Sequence, residues 1–154
     1  MKKNKRTSKS MAPRCPYCGS RTILRSADGI YNENRRDTML YVCKNYPRCV
    51  AYVRVQTGTN IPLGTVANRE LRALRAEAHR KFDPLYKEGY MTRTDAYVWL
   101  AGILAAPLSH AHIGYLGAYS CGIVIREAEK LLSWYRIKRQ AQMKQYHPGG
   151  SKAS

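Results

Sequence analysis

The spacing of the cysteines constrains this chain more than any other feature of its sequence. Cys15 and Cys18 form one close pair, and Cys43 and Cys49 form a second. Both spacings suit tight turns that present two thiolates to one tetrahedral metal ion, and the pattern is typical of zinc ribbons. The fifth cysteine, Cys121, makes the number odd, which argues against a disulfide framework. The sequence therefore predicts one structural zinc ion held by the two pairs.

Four thiolates would fill the coordination sphere of zinc, so no position stays open for water or substrate. We therefore expect the ion to be structural and not catalytic. Two alternatives remain: a redox dithiol at Cys15 and Cys18, whose thioredoxin-like βαβ context is missing, and two pairs of unliganded core cysteines. The cations around the cysteines are expected to favour the thiolate form: Arg14, Arg21, Lys44 and Arg48.

The chain is strongly basic, with 27 Lys and Arg against 10 Asp and Glu and a formal net charge of +17. This charge exceeds what solubility alone favours in a small domain and indicates a polyanionic partner. Nucleic acid, either DNA or RNA, is the first candidate, because Lys and Arg release counterions from a phosphate backbone when they bind it. An acidic protein or an anionic membrane surface would satisfy the same charge.

Neither a membrane segment nor a secretion signal is expected. The longest apolar run, residues 98–108, contains Gly102 and Pro107 and has about half the length that a membrane-spanning helix requires. The basic N-terminus runs into the first cysteine pair without an apolar segment. The sequence therefore predicts a cytoplasmic protein.

The chain divides by composition into four segments. Residues 1–14 are expected to form a disordered basic arm, because they carry almost no apolar side chain. Residues 15–57 are expected to form the zinc ribbon, and residues 58–143 are expected to form a helical region. Residues 144–154 are expected to form a flexible tail. The predicted fold class is α+β, in which an N-terminal four-cysteine zinc ribbon with a small antiparallel β-sheet packs with a C-terminal bundle of about three helices. The strands are expected at residues 21–25, 39–43 and 50–55.

Three helices are predicted from a 3.6-residue apolar period. The first covers residues 65–82, with Thr65 as its N-cap. The second opens with a capping box at Thr92 and continues through Leu104. The third begins near Ser120. Its buried side is expected to comprise Cys121, Val124, Ile125, Ala128 and either Leu131 or Leu132.

Two groups of cations are predicted to contact nucleic acid. In the first helix, arginines gather opposite the apolar stripe and the acids lie at the margin. This helix group comprises Arg69, Arg72, Arg75 and Arg80. The ribbon group comprises Arg21, Arg35, Arg36, Lys44, Tyr46 and Arg48. The tyrosine is included because aromatic rings beside cations are a common surface for stacking bases.

Two further sites are alternatives. A second metal site would combine histidines with the remaining cysteine: His79, His110, His112 and Cys121. Each has a simpler role, with His79 on the basic helix face, His112 in a turn, and Cys121 in the core. Asp83 precedes Pro84 at a helix end, which is typical of a turn residue. A small nuclease would need these histidines and Asp83 to form an open metal site.

The ribbon resembles a known module. The segments C-P-Y-C-G-S-R-T-I-L-R and C-K-N-Y-P-R-C are similar to the four-cysteine zinc ribbons at the C-terminus of bacterial type I topoisomerases. The similarity covers residues 15–53. This resemblance implies that the ribbon binds single-stranded DNA.

A longer stretch, residues 15–125, resembles a zinc-finger-containing domain family of phages and bacteria. The resemblance is carried by T-G-T-N-I-P-L-G-T-V-A-N-R-E-L-R, by A-H-R-K-F-D-P-L, by the helix around Trp99, and by His112-Ile113-Gly114. It implies a phage or mobile-element origin, and therefore the cytoplasm of a bacterium or of a phage-infected host.

These features favour a non-enzymatic zinc-ribbon protein that binds nucleic acid, with single-stranded DNA preferred and RNA as the other candidate. The first alternative is an interaction protein that docks on a host nucleic-acid enzyme or ribonucleoprotein and inhibits or adapts it. The second alternative is a small nuclease. The first alternative predicts weak, nonspecific binding to free nucleic acid, and the second predicts an activity that depends on His79 and His112.

Overall fold

The computed structural model describes residues 12–146, which divide into two compact units. The first unit ends at Arg72, and the second begins at Ala73. The predicted basic arm lies outside the described residues except for residues 12–14, and the predicted tail lies outside them except for residues 144–146. Those last three residues lie at the end of a helix.

Three antiparallel strands form the sheet of the first unit. They are β1 (Thr22–Ser26), β2 (Met39–Cys43) and β3 (Tyr52–Arg54), and β2 lies in the middle. In the register, Ile23 is opposite Val42, and Tyr41 is opposite Val53. Each strand is rich in β-branched and aromatic side chains, which pack well on a pleated surface. The small antiparallel sheet predicted from the sequence is confirmed.

The two faces of this sheet carry different side chains, because successive residues of a strand point to opposite sides. On one face, Tyr41, Cys43 and Val53 pack with Val55 and Val66 around the buried Cys15. On the other face, Leu40 and Val42 pack with Ala27, and three tyrosines border this cluster. Those tyrosines are Tyr31, Tyr46 and Tyr52.

The outer edge of β3 is paired with the segment that follows it. The backbone N–H groups of Tyr52 and Ala67 each donate to the other residue's carbonyl at 3.1 Å, and Leu63 N–H donates to Arg54 O at 2.8 Å. Val55 also forms a bridge with Pro62. The first unit therefore extends well beyond residue 57, where the sequence placed the end of the ribbon. Alternating side chains predict a strand but not the partner of its free edge.

The helices are α1 (Arg69–Phe82), α2 (Pro84–Lys87), α3 (Arg93–Leu104) and α4 (Ala118–Tyr146). Short 3-10 turns at Leu108–His110 and Ile113–Tyr115 lie between α3 and α4. The first turn of α1 belongs to the first unit, and the rest of α1 belongs to the second. No helix within residues 12–146 is both long enough and apolar enough to cross a membrane.

The two helix starts predicted from capping residues have different outcomes. At α3, Thr92 Oγ1 accepts the backbone N–H of Asp95 at 3.1 Å, so the predicted cap is confirmed. At α1, the cap is Asn68, whose Oδ1 accepts the N–H of Leu71 at 2.9 Å. Thr65 is therefore not the cap, because the residues after it are held in the pairing with β3.

The second unit is built around a core of aromatic and aliphatic side chains. Phe82, Leu85, Leu100 and Val124 are fully buried, and the Phe82 ring contacts Tyr97 edge to face with centroids 5.2 Å apart. The buried side of α4 comprises Cys121, Val124, Ala128 and Leu132. This side matches the predicted stripe, with Ile125 and Leu131 partly buried beside it.

Candidate metal centre and nucleic-acid interface

The four predicted ligands lie together at one end of the ribbon sheet. Cys15 Sγ is 3.6 Å from Cys49 Sγ, and Cys18 Sγ is 3.4 Å from Cys43 Sγ. All four sulfur atoms lie within 4.8 Å of one another. A tetrahedral zinc ion with Zn–S bonds of about 2.3 Å requires sulfur atoms about 3.8 Å apart, so the arrangement fits. The donor set is that of one structural zinc ion.

Tight turns deliver each pair of sulfur atoms. Gly19 has a φ of +71°, and its N–H donates to Cys15 O at 2.9 Å, which closes the first turn. In the second turn, the N–H of Tyr46 donates to Cys43 O at 2.9 Å, and a cis peptide bond joins Tyr46 to Pro47. The turn residues beside and between the cysteines therefore set the backbone conformation that brings the thiols together.

Asn45 supports the site and was not predicted from the sequence. Its Nδ2 donates to Ser20 Oγ at 2.8 Å and lies 3.5 Å from Cys18 Sγ. An amide that donates to a ligand sulfur fixes its orientation and stabilises the thiolate. The position of Asn45 within the second knuckle was the only available signal, and it was too general to identify this contact.

The thiols differ strongly in acidity. Hydrogen bonds from Ser20, together with those from Cys43 and Asn45, lower the pKa of Cys18 to about 6. Burial raises the pKa of Cys43 to about 12 and also raises the pKa of Cys15. At neutral pH, zinc must therefore displace protons from Cys43 and Cys15 when it binds. The sequence-based prediction was that flanking cations favour the thiolate form. In the structure, hydrogen bonds are the main cause of the lowered pKa of Cys18.

The family of the chain follows from this centre and from a comparison with known proteins. A family model described as a zinc-finger-containing domain matches residues 11–131. The chain belongs to this family. The match covers both the cysteine cluster and most of the helical unit, as the sequence resemblance implied. No curated protein and no solved structure matches the chain.

The predicted ribbon contacts lie mostly at the surface. The exposed ones are Arg21, Arg35, Arg36, Lys44 and Arg48, and Tyr46 is partly buried. Arg35 forms an ion pair with Glu33 at 2.8 Å, with both side chains well exposed. Arg35 and Arg36 lie in the loop between β1 and β2, whereas Lys44, Tyr46 and Arg48 lie in the turn between Cys43 and Cys49. Their exposure is compatible with phosphate contacts but does not define a single surface.

The arginines predicted on one face of α1 have four different environments. Arg69 is exposed, and Arg80 is exposed but forms an ion pair with Glu77. Arg75 is only 9% exposed, and its Nε donates to Leu116 O at 3.0 Å. The predicted exposed face is therefore wrong at Arg75, since the interior of the second unit offers its guanidinium a carbonyl partner. The fourth arginine, Arg72, is held against the ribbon.

Arg72 is fixed by both hydrogen bonds and stacking. Its Nη1 donates to Val50 O at 2.8 Å and to Ala67 O at 2.6 Å. Its guanidinium carbon lies 3.7 Å from the centroid of the Tyr52 ring. A planar guanidinium over an aromatic face is a favourable cation–π arrangement. Arg72 therefore belongs to the aromatic side of the sheet.

This side of the sheet combines rings and cations, and we call it the tyrosine–arginine face. It comprises Tyr31, Tyr46, Tyr52, Arg25, Arg54 and Arg72. The Arg25 guanidinium lies 5.9 Å from the Tyr46 centroid, and the Tyr31 and Tyr52 rings are 6.2 Å apart. Burial raises the pKa of Tyr31, as does the neighbouring Tyr52, while the charges of Arg54 and Arg72 act in the opposite direction.

Four members of this face were missed by the sequence-based prediction: Tyr31, Tyr52, Arg25 and Arg54. Strand alternation could have placed Arg25 and Arg54 on one side, because each is opposite Leu40 in the register. Tyr31 follows the β1 strand in a loop, so no periodic signal identifies it. The turn after β1 holds it there, since the N–H of Tyr31 donates to Ala27 O at 2.8 Å.

The residues proposed for a second metal site do not form a cluster of potential ligands in the part of the chain that the structure describes. Across residues 12–146, the one group of three or more potential ligands is the cysteine cluster. His112 is exposed, Cys121 is buried, and His79 Nδ1 lies 3.1 Å from Asp83 Oδ1. Asp83 also forms an ion pair with Lys87, so it links residues of α1 and α2.

Proposed function

We propose that this chain is a non-enzymatic nucleic-acid-binding protein that holds single strands, DNA in the first place and RNA in the second, on the tyrosine–arginine face. The observation that carries this proposal is the combination of three partly buried tyrosine rings with three arginines on one side of a zinc-supported sheet. Aromatic rings beside cations are the surface on which proteins stack unpaired bases.

The geometry suits stacking because the rings are held from below. Leu40 and Val42 are buried under Tyr46 and Tyr52, so ordering these rings costs little entropy when a base binds. The guanidinium of Arg72 already covers one side of Tyr52, and its own plane is a further stacking surface. Each stacked base would contribute about 1–3 kcal/mol.

The charge of the chain supports the same proposal. A formal charge of +17 draws a polyanion towards every part of the surface, and the phosphates between stacked bases would meet Arg25 and Arg54. The zinc centre serves as a rigid support in this proposal. Four cysteine ligands fill its coordination sphere, which favours a non-enzymatic role over nuclease chemistry at the metal.

The proposal is tested by fluorescence anisotropy with labelled single-stranded DNA, duplex DNA and RNA of equal length, each titrated at several salt concentrations. Tyr46→Leu is expected to weaken single-strand binding about tenfold, because one stacking ring is lost. Tyr119→Leu is the matched control, since Tyr119 is 84% exposed and lies in the second unit.

A second pair of substitutions tests the contribution of charge to binding. Arg25→Gln is expected to weaken binding and reduce the salt dependence, whereas Arg126→Gln removes the same charge from an exposed side chain of α4. Equal binding of all three nucleic acids, lost at moderate salt and insensitive to Tyr46→Leu, would refute the proposal. That outcome would favour the alternative in which the chain docks on a host nucleic-acid enzyme.

A further inference from the structure

The second unit contains a cleft of about 540 Å³ that plays no part in the ribbon. Every residue that lines it belongs to the second unit. The lining comprises Arg93, Thr94, Tyr97, Leu108, Ser109 and His112. The volume lies within the range of about 300–1,000 Å³ that is typical of small-molecule sites.

One wall of the cleft is aromatic. The Tyr97 and His112 rings, which both line the cleft, have centroids 6.0 Å apart. Leu108 is 52% exposed and adds an aliphatic edge. A wall of this kind stabilises a flat heteroaromatic group by stacking and by the burial of apolar surface.

Arg93 supplies a positive charge beside the aromatic wall of the cleft. Its guanidinium carbon lies 5.1 Å from the Tyr97 centroid and 5.9 Å from the Tyr86 centroid, which fixes the side chain beside the aromatic wall. The Arg93 guanidinium is charged at every physiological pH. Within residues 12–146, no carboxylate forms an ion pair with Arg93. Its charge is thus available to an anion.

Two hydroxyl groups complete the lining. Thr94 follows Arg93 in the first turn of α3, and Ser109 lies in the 3-10 turn that carries Leu108. A hydroxyl can donate to a phosphate oxygen, and it can either donate to or accept from a sugar hydroxyl. The cleft therefore offers rings, hydroxyls and one cation, which match a base, a sugar and a phosphate.

We infer that this cleft binds one nucleotide unit, with the base against Tyr97 and His112 and the phosphate at Arg93. The unit is either a free nucleotide or one residue of a longer strand, because both present the same chemistry. This site goes beyond the proposed role of the ribbon, since it lies in the other unit and depends on none of the residues of the tyrosine–arginine face.

The test uses the full-length, zinc-loaded protein and nuclear magnetic resonance. Adenosine 5′-monophosphate, adenosine, inorganic phosphate and a short single-stranded oligonucleotide are titrated separately, and the backbone amide signals of Thr94 and Ser109 report on the cleft. The monophosphate is expected to produce saturable shifts there. Adenosine and phosphate should each bind at least about tenfold more weakly, because each lacks one group of contacts.

Two substitutions probe the charge of the cleft. Arg93→Gln is expected to weaken monophosphate binding at least about tenfold and to leave adenosine binding unchanged. Leu108→Glu places a carboxylate at the exposed edge and should weaken monophosphate binding in the same way, whereas the matched Leu108→Gln should not. Arg126→Gln, outside the cleft, is the control for total charge.

The outcomes separate the two proposals. Tyr46→Leu should reduce oligonucleotide binding by the ribbon and leave monophosphate binding intact. If Arg93→Gln also weakens the oligonucleotide, the nucleotide unit comes from a strand, and if it affects only the monophosphate, the ligand is a free nucleotide. The inference is overturned if no saturable shifts occur at Thr94 and Ser109, or if wild type and Arg93→Gln bind the monophosphate equally.

Discussion

Arg75→Ala provides a sharp test of how the second unit is stabilised. The side chain is 9% exposed, and its Nε donates to the carbonyl of Leu116 at 3.0 Å. A hydrogen bond from a charged donor contributes about 1.5–3 kcal/mol, and truncation of the buried aliphatic stem adds to the loss. We therefore expect the free energy of unfolding to fall by about 2–4 kcal/mol. In a unit of this size, the melting temperature should fall by at least about 8 °C.

The assay is urea denaturation followed by tryptophan fluorescence. Both tryptophans, Trp99 and Trp134, lie in the second unit, so the signal reports on the unit that contains Arg75. Arg69→Ala is the matched control, because Arg69 is exposed at the start of the same helix and should change the stability by less than about 0.5 kcal/mol.

The result that would refute this reasoning is specific. If Arg75→Ala unfolds at the same urea concentration as the wild type but binds oligonucleotides several-fold more weakly, then Arg75 faces solvent and contacts phosphate. That outcome would restore the exposed arginine face that the helical period predicted.

Three further predictions concern the metal centre and the first helix. Cys43→Ser is expected to unfold the ribbon and abolish the binding of about one zinc per chain, measured by metal analysis, whereas Cys121→Ser should retain the metal. Asn45→Ala should lower zinc affinity about 10–100-fold with unchanged stoichiometry, because its amide orients a ligand sulfur, and competition with a chelator would measure this. Asn68→Ala should lower the free energy of unfolding by about 1 kcal/mol in urea denaturation, through loss of the helix cap, and Asn68→Ser should restore most of it.

The metal centre could be predicted from the sequence because its determinants are local. Each cysteine pair lies within one short turn, and the spacing alone limits how the sulfur atoms can be presented. The central strand, Met39–Cys43, was placed correctly for the same reason, since its β-branched and aromatic side chains form one uninterrupted run. The pairing of β1 with β2 then brings the end of β2, and with it Cys43, beside the start of β1.

Features that depend on distant partners could not be predicted. The periodicity of α1 assigns every arginine to the surface, yet Arg75 finds a carbonyl 41 residues away at Leu116. The start of α1 shifted from Thr65 to Asn68 because Ala67 pairs with Tyr52, which is also a non-local contact. Local propensity gives way in both cases to contacts that only the folded chain provides.

The tyrosine–arginine face could be predicted only in part. Alternation along β1 and β3 determines that Arg25 and Arg54 share a side with Leu40, but it does not determine that tyrosines from a loop and a zinc knuckle border the same side. Charge counting directed the prediction towards α1 instead. The arginine-rich first helix was therefore predicted to make the contacts that we propose for the tyrosine–arginine face.

The pairing of β3 with the segment after it determines where this ribbon can be cut. A fragment that ends at residue 57 would keep every zinc ligand but lose three residues that hydrogen-bond to the backbone at β3. Leu63 donates to Arg54 O, and Ala67 pairs with Tyr52. Arg72 donates to Val50 O. The free edge of β3 would then present unpaired N–H and C=O groups to other molecules, a known route to edge-to-edge aggregation. A ribbon that is to be transplanted as an independent module should therefore extend through Arg72.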